Sequence, residues 1–205
     1  MFITFEGIDG CGKSTQLALF AHYLRKKGCA ITVTREPGGT RVAEKIRNII
    51  LDAKNAHLSP MAELMLYCAA RAQHVAQIIR PALHKGRIVL SDRFSDSTLA
   101  YQGGGRGLLK TKIETLNNAA CDGVKPDLTM LFDIPATEAF RRMRASGRRP
   151  DRMEKEGVAF LEKARRAYLR LAKKEPRRIK VLDGTRSINA LAQAVAAIFD
   201  SQRMS

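Results

Sequence analysis

The sequence predicts one α/β domain built on a five-stranded parallel sheet with helices on both faces. Three observations carry that expectation. Short apolar, β-branched runs alternate with helical patterns along the chain, as in a parallel sheet buried on both sides. A glycine-rich loop separates the first such run from the first helix. The 205 residues, 45% of them hydrophobic, suffice for one core, and no linker, repeat or low-complexity segment divides them.

The elements follow in order. Residues 2–6 read as a buried strand, and 13–27 as a helix closed by Gly28, which is free to take the left-handed turn after a helix. Ala30 to Thr34 is a second strand, ended by Arg35-Glu36-Pro37-Gly38-Gly39-Thr40. Thr40 can cap a helix from Arg41 to about Leu51. Ser59-Pro60 opens a long helix, which Pro81 should end or kink near Arg80. Arg87 to Ser91 is a third strand running into Asp92-Arg93, and Gln102 to Gly107 reads as a mobile glycine loop. A helix from about Leu109 to Cys121 precedes the fourth strand, Leu128 to Asp133. Pro135 opens another helix, broken around Gly147 and Pro150 and succeeded by one from about Glu154 to Lys174. Ile179 to Asp183 is the fifth strand, and Ser187 to about Phe199 the last helix.

The stretch from Gly7 through Ile8, Asp9, Gly10, Cys11, Gly12, Lys13 and Ser14 to Thr15 contains Gly-x-x-x-x-Gly-Lys-Ser between a strand and a helix. That is the context of a phosphate-binding P-loop as well as its spelling. Glycines let the backbone turn its N–H groups onto phosphate oxygens, and the positive end of the following helix adds to the field. Lys13 would reach the terminal phosphates of ATP, and the Ser14 hydroxyl would ligate Mg²⁺. The plainer alternative is a glycine turn after an edge strand.

Ligands of such sheets gather at the carboxyl ends of the strands, where Asp9, Glu36, Asp92, Arg93 and Asp183 all stand. Asp92 occupies a Walker-B-like position suited to Mg²⁺, and Arg93 suits the phosphate of a second substrate; the alternative is a local ion pair or turn cap. The arginine-rich break holding Arg142, Arg144, Arg148, Arg149 and Arg152 reads as a lid over the transferring phosphate, at about residues 142–153. A solvated basic loop is its counterpart reading. Tyr67 and Arg71 share a helix face and could hold a base, although spacing alone favours core packing plus a surface arginine.

Composition narrows the class. The formal charge of +16 fits either a nucleic-acid partner or a small polyphosphate substrate. No aromatic residue stands between Arg141 and Ala159, so the interleaving of a single-strand platform is missing there. Cys11, Cys29, Cys68 and Cys121 have no metal spacing and suit free thiols in a reducing cytoplasm. Cys11 stands at a helix N-terminus, where a thiol pKa can fall. The four histidines show no ligand spacing either. No apolar run approaches about 20 residues, so no membrane span is expected, and no signal peptide is recognised.

Together these stretches resemble the thymidylate kinase family, P-loop nucleoside monophosphate kinases that act on dTMP. The likeness runs through Phe5-Glu6-Gly7-Ile8-Asp9-Gly10, Thr34-Arg35-Glu36-Pro37-Gly38-Gly39-Thr40 and Leu66-Tyr67-Cys68-Ala69-Ala70-Arg71. It continues in Asp92-Arg93-Phe94, Ala100-Tyr101-Gln102-Gly103-Gly104-Gly105-Arg106-Gly107 and Lys125-Pro126-Asp127-Leu128-Thr129. The resemblance implies ATP and Mg²⁺ as cofactors, dTMP as acceptor, dTDP as product for dTTP synthesis, and a cytoplasmic homodimer without nucleic-acid or membrane partners.

It also implies roles. Asp9 would hold the sugar 3′-hydroxyl and Arg93 the dTMP phosphate. Tyr67, where the family usually has phenylalanine, would stack on thymine, and Arg71 would bond a thymine carbonyl. Glu36, Pro37, Arg47, Ser97 and Gln102 would complete the pocket. Gly10 stands where the eukaryotic branch has an arginine, which implies the bacterial type with catalytic arginines from the lid. Arg142, Arg144 and Arg152 align best, and would act with Lys13 and Arg93. Another nucleoside monophosphate kinase is the nearest rival. A GTPase lacks support without an Asn-Lys-x-Asp signature, and a nucleic-acid-binding ATPase would leave Tyr67, Arg71 and Arg93 unexplained.

Overall fold

The computed structural model describes residues 1–147 and 149–203. Five strands, β1 (Phe2–Glu6), β2 (Ile31–Arg35), β3 (Ile88–Asp92), β4 (Leu128–Asp133) and β5 (Ile179–Asp183), form one sheet in the order β2-β3-β1-β4-β5. Every pairing is parallel. Phe5 lies level with Asp92 on one side and Met130 on the other, so the carboxyl ends of the three central strands meet at one edge.

Alternation along β1 explains why both faces are covered. Ile3 and Phe5 pack with Leu90, Phe20 and Leu24 of α1 (Lys13–Lys26) and Phe199 of α9 (Ile188–Arg203). Phe2 points the other way and joins Val89, Phe94, Val75 and Ile79. Thr4 and Glu6 share the Phe2 face by the two-residue period of a strand, and both are fully buried. Thr4 is satisfied by the Thr129 hydroxyl at 2.7 Å. One face of the sheet is therefore apolar to its carboxyl end, and the other turns polar there.

The remaining helices are α2 (Arg41–Leu51), α3 (Pro60–His74), α4 (Arg80–His84), α5 (Ser95–Thr98), α6 (Lys110–Cys121), α7 (Ala136–Ala145) and α8 (Gly157–Lys174). Thr40 caps α2 by accepting from the Ala43 N–H at 3.1 Å, and Ser59 caps α3 at 3.2 Å. Pro81 does not end the long helix. A wide π turn over Val75–Ile79 precedes it and the helical path continues to His84, because widening the turn relieves the missing N–H and the clash of the ring with the preceding carbonyl. The expected mobile glycine loop is likewise corrected: Leu99–Gly105 forms a wide π turn packed on α8. A Cβ on Gly104 would lie 2.6 Å from that of Ala167, and one on Gly105 2.4 Å from the Phe160 ring. Those glycines permit close packing. A 3-10 turn at Glu154–Glu156 precedes α8, where one continuous helix was expected. Among the described residues no helix is long and apolar enough to cross a membrane.

Candidate active site

The loop after β1 shows why its glycines are needed. Gly7 (φ 140°) and Gly10 (φ 82°) adopt conformations that L side chains rarely take. A Cβ on Gly7 would stand 2.6 Å from the Phe132 carbonyl oxygen, and one on Gly10 2.4 Å from that of Ala139. Gly12 (φ 90°) faces open space and begins α1 without a side-chain cap or an acidic residue in the first turn. The first N–H groups of α1 thus have no side-chain acceptor competing with an anion. Lys13 is buried 3.6 Å from Asp9. The Ser14 hydroxyl donates to Asp92 across the sheet edge. Two hard oxygen donors beside an anion cradle are the small protein share that Mg²⁺ needs when phosphate and water supply the rest. Cys11 departs from expectation: at 1% exposure, burial pushes its thiol pKa up.

Beside this loop lies a cavity whose lining includes Asp9, Glu36, Pro37, Arg47, Tyr67, Arg93, Ser97 and Gln102. Arg93 is its centre. It has φ 75°, and its guanidinium donates to Asp9 at 2.7 Å, Tyr101 at 3.2 Å, Ser97 at 3.1 Å, Tyr168 at 3.2 Å and the Gly7 carbonyl at 3.1 Å. Burial alone would raise the Asp9 pKa, yet Arg93 and then Lys13 hold it well below the usual carboxylate range. Arg47 donates to the Pro37 carbonyl at 2.9 Å, and Gln102 to Glu63 at 2.8 Å. Burial, with Glu63 adding to it, pushes the Tyr67 phenol pKa up.

Arg71 sits differently from an open base-binding arginine. It is 1% exposed and outside the cavity lining. Its guanidinium donates to Glu36 at 2.8 Å, Asn117 at 2.5 Å and the Phe94 carbonyl at 3.1 Å. Three of its five N–H groups are thereby taken. Asp183, expected to converge with the others, accepts from Thr185 at 2.6 Å and is not part of the cavity. Sequence reasoning missed Leu51, Thr98, Tyr101, Asp151 and Met153, which also line it. Thr98 carries the clearest signal, since its buried hydroxyl oxygen makes no hydrogen bond within the protein, and buried polar atoms are ordinarily paired.

The arginine-rich segment divides. Arg142 is half-buried, donating to Glu138 at 2.8 Å and the Gly184 carbonyl at 3.2 Å. Arg144 is exposed beside the Phe140 ring, and Arg149 is exposed. Arg152 is 5% exposed, with its guanidinium on Glu63 at 2.5 Å and the Ile50 carbonyl at 2.7 Å. Arg148 lies outside the described residues.

A phosphate loop after the central strand of a 2-3-1-4-5 parallel sheet, facing a second cationic cavity across the same edge, defines a P-loop phosphotransferase of the nucleoside monophosphate kinase type. A family model described as thymidylate kinase matches residues 5–195, and the chain belongs to that family. A thymidylate kinase of Trichlorobacter lovleyi is 52% identical over 201 residues, covering 96% of this chain and 95% of that protein. One from Pelobacter propionicus is 50% identical, covering 96% and 92%. The crystal structure of thymidylate kinase from Ehrlichia chaffeensis matches with a TM-score of 0.78 at 36% identity, covering 98% of each chain.

Proposed function

We propose that this chain transfers the γ-phosphoryl group of Mg-ATP to dTMP, giving dTDP and ADP for dTTP synthesis. The observation that carries the reading is Arg93, a guanidinium held at five points between the phosphate loop and the cavity. An acceptor phosphate on Arg93 would present an already ionised oxygen to the γ-phosphorus. A P–O bond forms there, the bond to the ADP oxygen breaks, and no strong general base is needed. Positioning and charge neutralisation carry the rate.

The loop from Gly7 to Thr15 binds the donor phosphates, with Lys13 on the terminal ones. Ser14 and Asp92 would hold Mg²⁺, which supplies charge neutralisation on the phosphates when bound. Asp9 takes the sugar 3′-hydroxyl and Tyr67 stacks on thymine. Ser97, Thr98 and Gln102 face its polar edge, Glu36, Pro37 and Arg47 close the cavity, and Arg71, outside the lining, acts on it through its bond to Glu36. Arg142 and Arg144 supply lid cations, and Arg152 tethers the lid to Glu63. A cytoplasmic homodimer, with no nucleic-acid or membrane partner, enters this reading from the family resemblance.

ADP release with Mg-ATP and each nucleoside monophosphate in turn is the test. We expect strong turnover with dTMP, weaker with dUMP and little with the others; folded, ATP-binding protein inactive on dTMP would refute the reading. Arg93→Ala should raise the KM for dTMP far more than that for ATP, and equal loss of both would remove Arg93 from its role.

A further inference from the structure

Glu6, the last residue of β1, has no part in the chemistry above, yet it is a fully buried carboxyl beneath the acceptor cavity. Three donors converge on its two oxygens. The Phe94 N–H donates to Oε1 at 2.7 Å, and the Ser97 and Tyr168 hydroxyls donate to Oε2 at 2.6 and 2.8 Å. Surroundings made only of donors suit an ionised carboxylate, which has lone pairs and no proton to give. The Ser97 and Tyr168 hydroxyls also lie 2.7 Å apart, so Glu6 and these two oxygens form one hydrogen-bonded cluster that receives Nη1 of Arg93 at 3.1 and 3.2 Å. The third donor belongs to the peptide that follows Arg93, whose left-handed backbone an L side chain rarely adopts.

We infer that Glu6 is a positioning residue for the acceptor: it holds both the left-handed backbone and the guanidinium of Arg93, and so sets dTMP affinity without touching the nucleotide. The inference rests on Arg93 as the acceptor-phosphate residue.

A proton on Glu6 would need an acceptor, and the Ser97 and Tyr168 hydroxyls, 2.7 Å from each other, would have to reorder their protons beside the Arg93 cation. The charged and titratable groups around Glu6 are Arg93 beyond β3, Asp96 on α5 and Tyr168 on α8. Asp9 and Tyr101 also bond Arg93. Burial, with Asp96 adding to it, pushes the Glu6 carboxyl up to about 7, so the arrangement dissolves as pH falls through neutrality. Repulsion between Glu6 and the acceptor phosphate acts in the opposite sense. It is offset by Arg93, which lines the cavity while Glu6 does not.

Steady-state kinetics of Glu6→Gln beside Arg93→Ala test this. At about pH 8 the Glu6→Gln enzyme should show a KM for dTMP raised about tenfold, with the KM for ATP within about twofold of wild type. The ratio of variant to wild-type KM for dTMP should fall toward one at about pH 6, where wild-type Glu6 is itself protonated; titration of the dTMP phosphate cancels in that ratio. A KM for dTMP at or below wild type at about pH 8, or a ratio constant with pH, overturns the inference. If Arg93→Ala raises this KM and Glu6→Gln does not, only the role of Glu6 fails. If neither does, the reading of Arg93 fails and the inference falls with it. Should Glu6→Gln not fold, Tyr168→Phe carries the test: the same split of the two KM values is expected, and an unchanged KM for dTMP overturns the inference.

Discussion

Arg152 places its charge where water barely reaches. Its partner Glu63 is fully buried and also receives Arg106 at 3.1 Å and Gln102 at 2.8 Å. Removing one member of such a cluster leaves the rest desolvated and poorly compensated, which makes breaking it far costlier than breaking a surface pair. Arg152→Ala should therefore lower stability by about 3 kcal/mol, read from denaturant melts, with a raised KM for dTMP because Asp151 and Met153 line the cavity. A large fall in kcat at unchanged stability would instead put Arg152 on the transferring phosphate. Arg141 makes the contrast: exposed, it pairs among the described residues with Glu138 at 2.8 Å, where solvent screening leaves little to lose.

At the scale of elements, the turn over Leu99–Gly105 matters most, because it presents Tyr101 and Gln102 to the site. Its approach to α8 depends on missing side chains. Gly105→Ala would drive a methyl group into the Phe160 ring, at 2.4 Å. We expect a destabilisation of about 1 to 3 kcal/mol and a weakened dTMP KM, measured by thermal melting and kinetics; unchanged melting would show that the turn can move away freely. The glycine run itself was plain in the sequence, but a run of glycines reads equally as flexibility or as close packing. Only the facing Ala167 and Phe160 decide between them. Pro81 posed a similar ambiguity, since a proline ends a regular helix yet is tolerated after a widened turn.

For the whole molecule, two carboxylates at the site, Glu6 fully buried and Asp9 half-buried, give stability opposite dependences on pH. The Glu6 pKa rises on folding from 4.5 to about 7, so its contribution is present below the unfolded value and lost as pH rises through about 7. The Asp9 pKa is depressed from 3.8, so its contribution is present above the unfolded value and lost as pH falls below it. Melting temperatures of wild type and Glu6→Gln across this range check the first. The difference should move in favour of the variant as pH rises from about 5 to about 8, and a parallel pair of curves would show that folding does not perturb Glu6. Legibility at this scale was uneven. The five strands and most helix starts followed from apolar runs, caps and prolines, because those signals act within a few residues, whereas the short helix at Ser95–Thr98 gave no such signal. The polar turn of one sheet face at Glu6 left no comparable local mark.

By itself the sequence determined the α/β class, the phosphate loop, the order of elements and the family, since each rests on local spacing or on motifs read along the chain. The strand order and the partners of the buried charges belonged to the tertiary structure. Glu6 meets Tyr168 across 162 positions and Arg152 meets Glu63 across 89, separations that no local pattern spans. The same holds for Arg71, which spacing leaves on a helix surface and packing buries on Glu36 and Asn117. A charged side chain inside a protein must find its counter-charges and acceptors wherever the fold brings them, and that placement exists only once the sheet has closed.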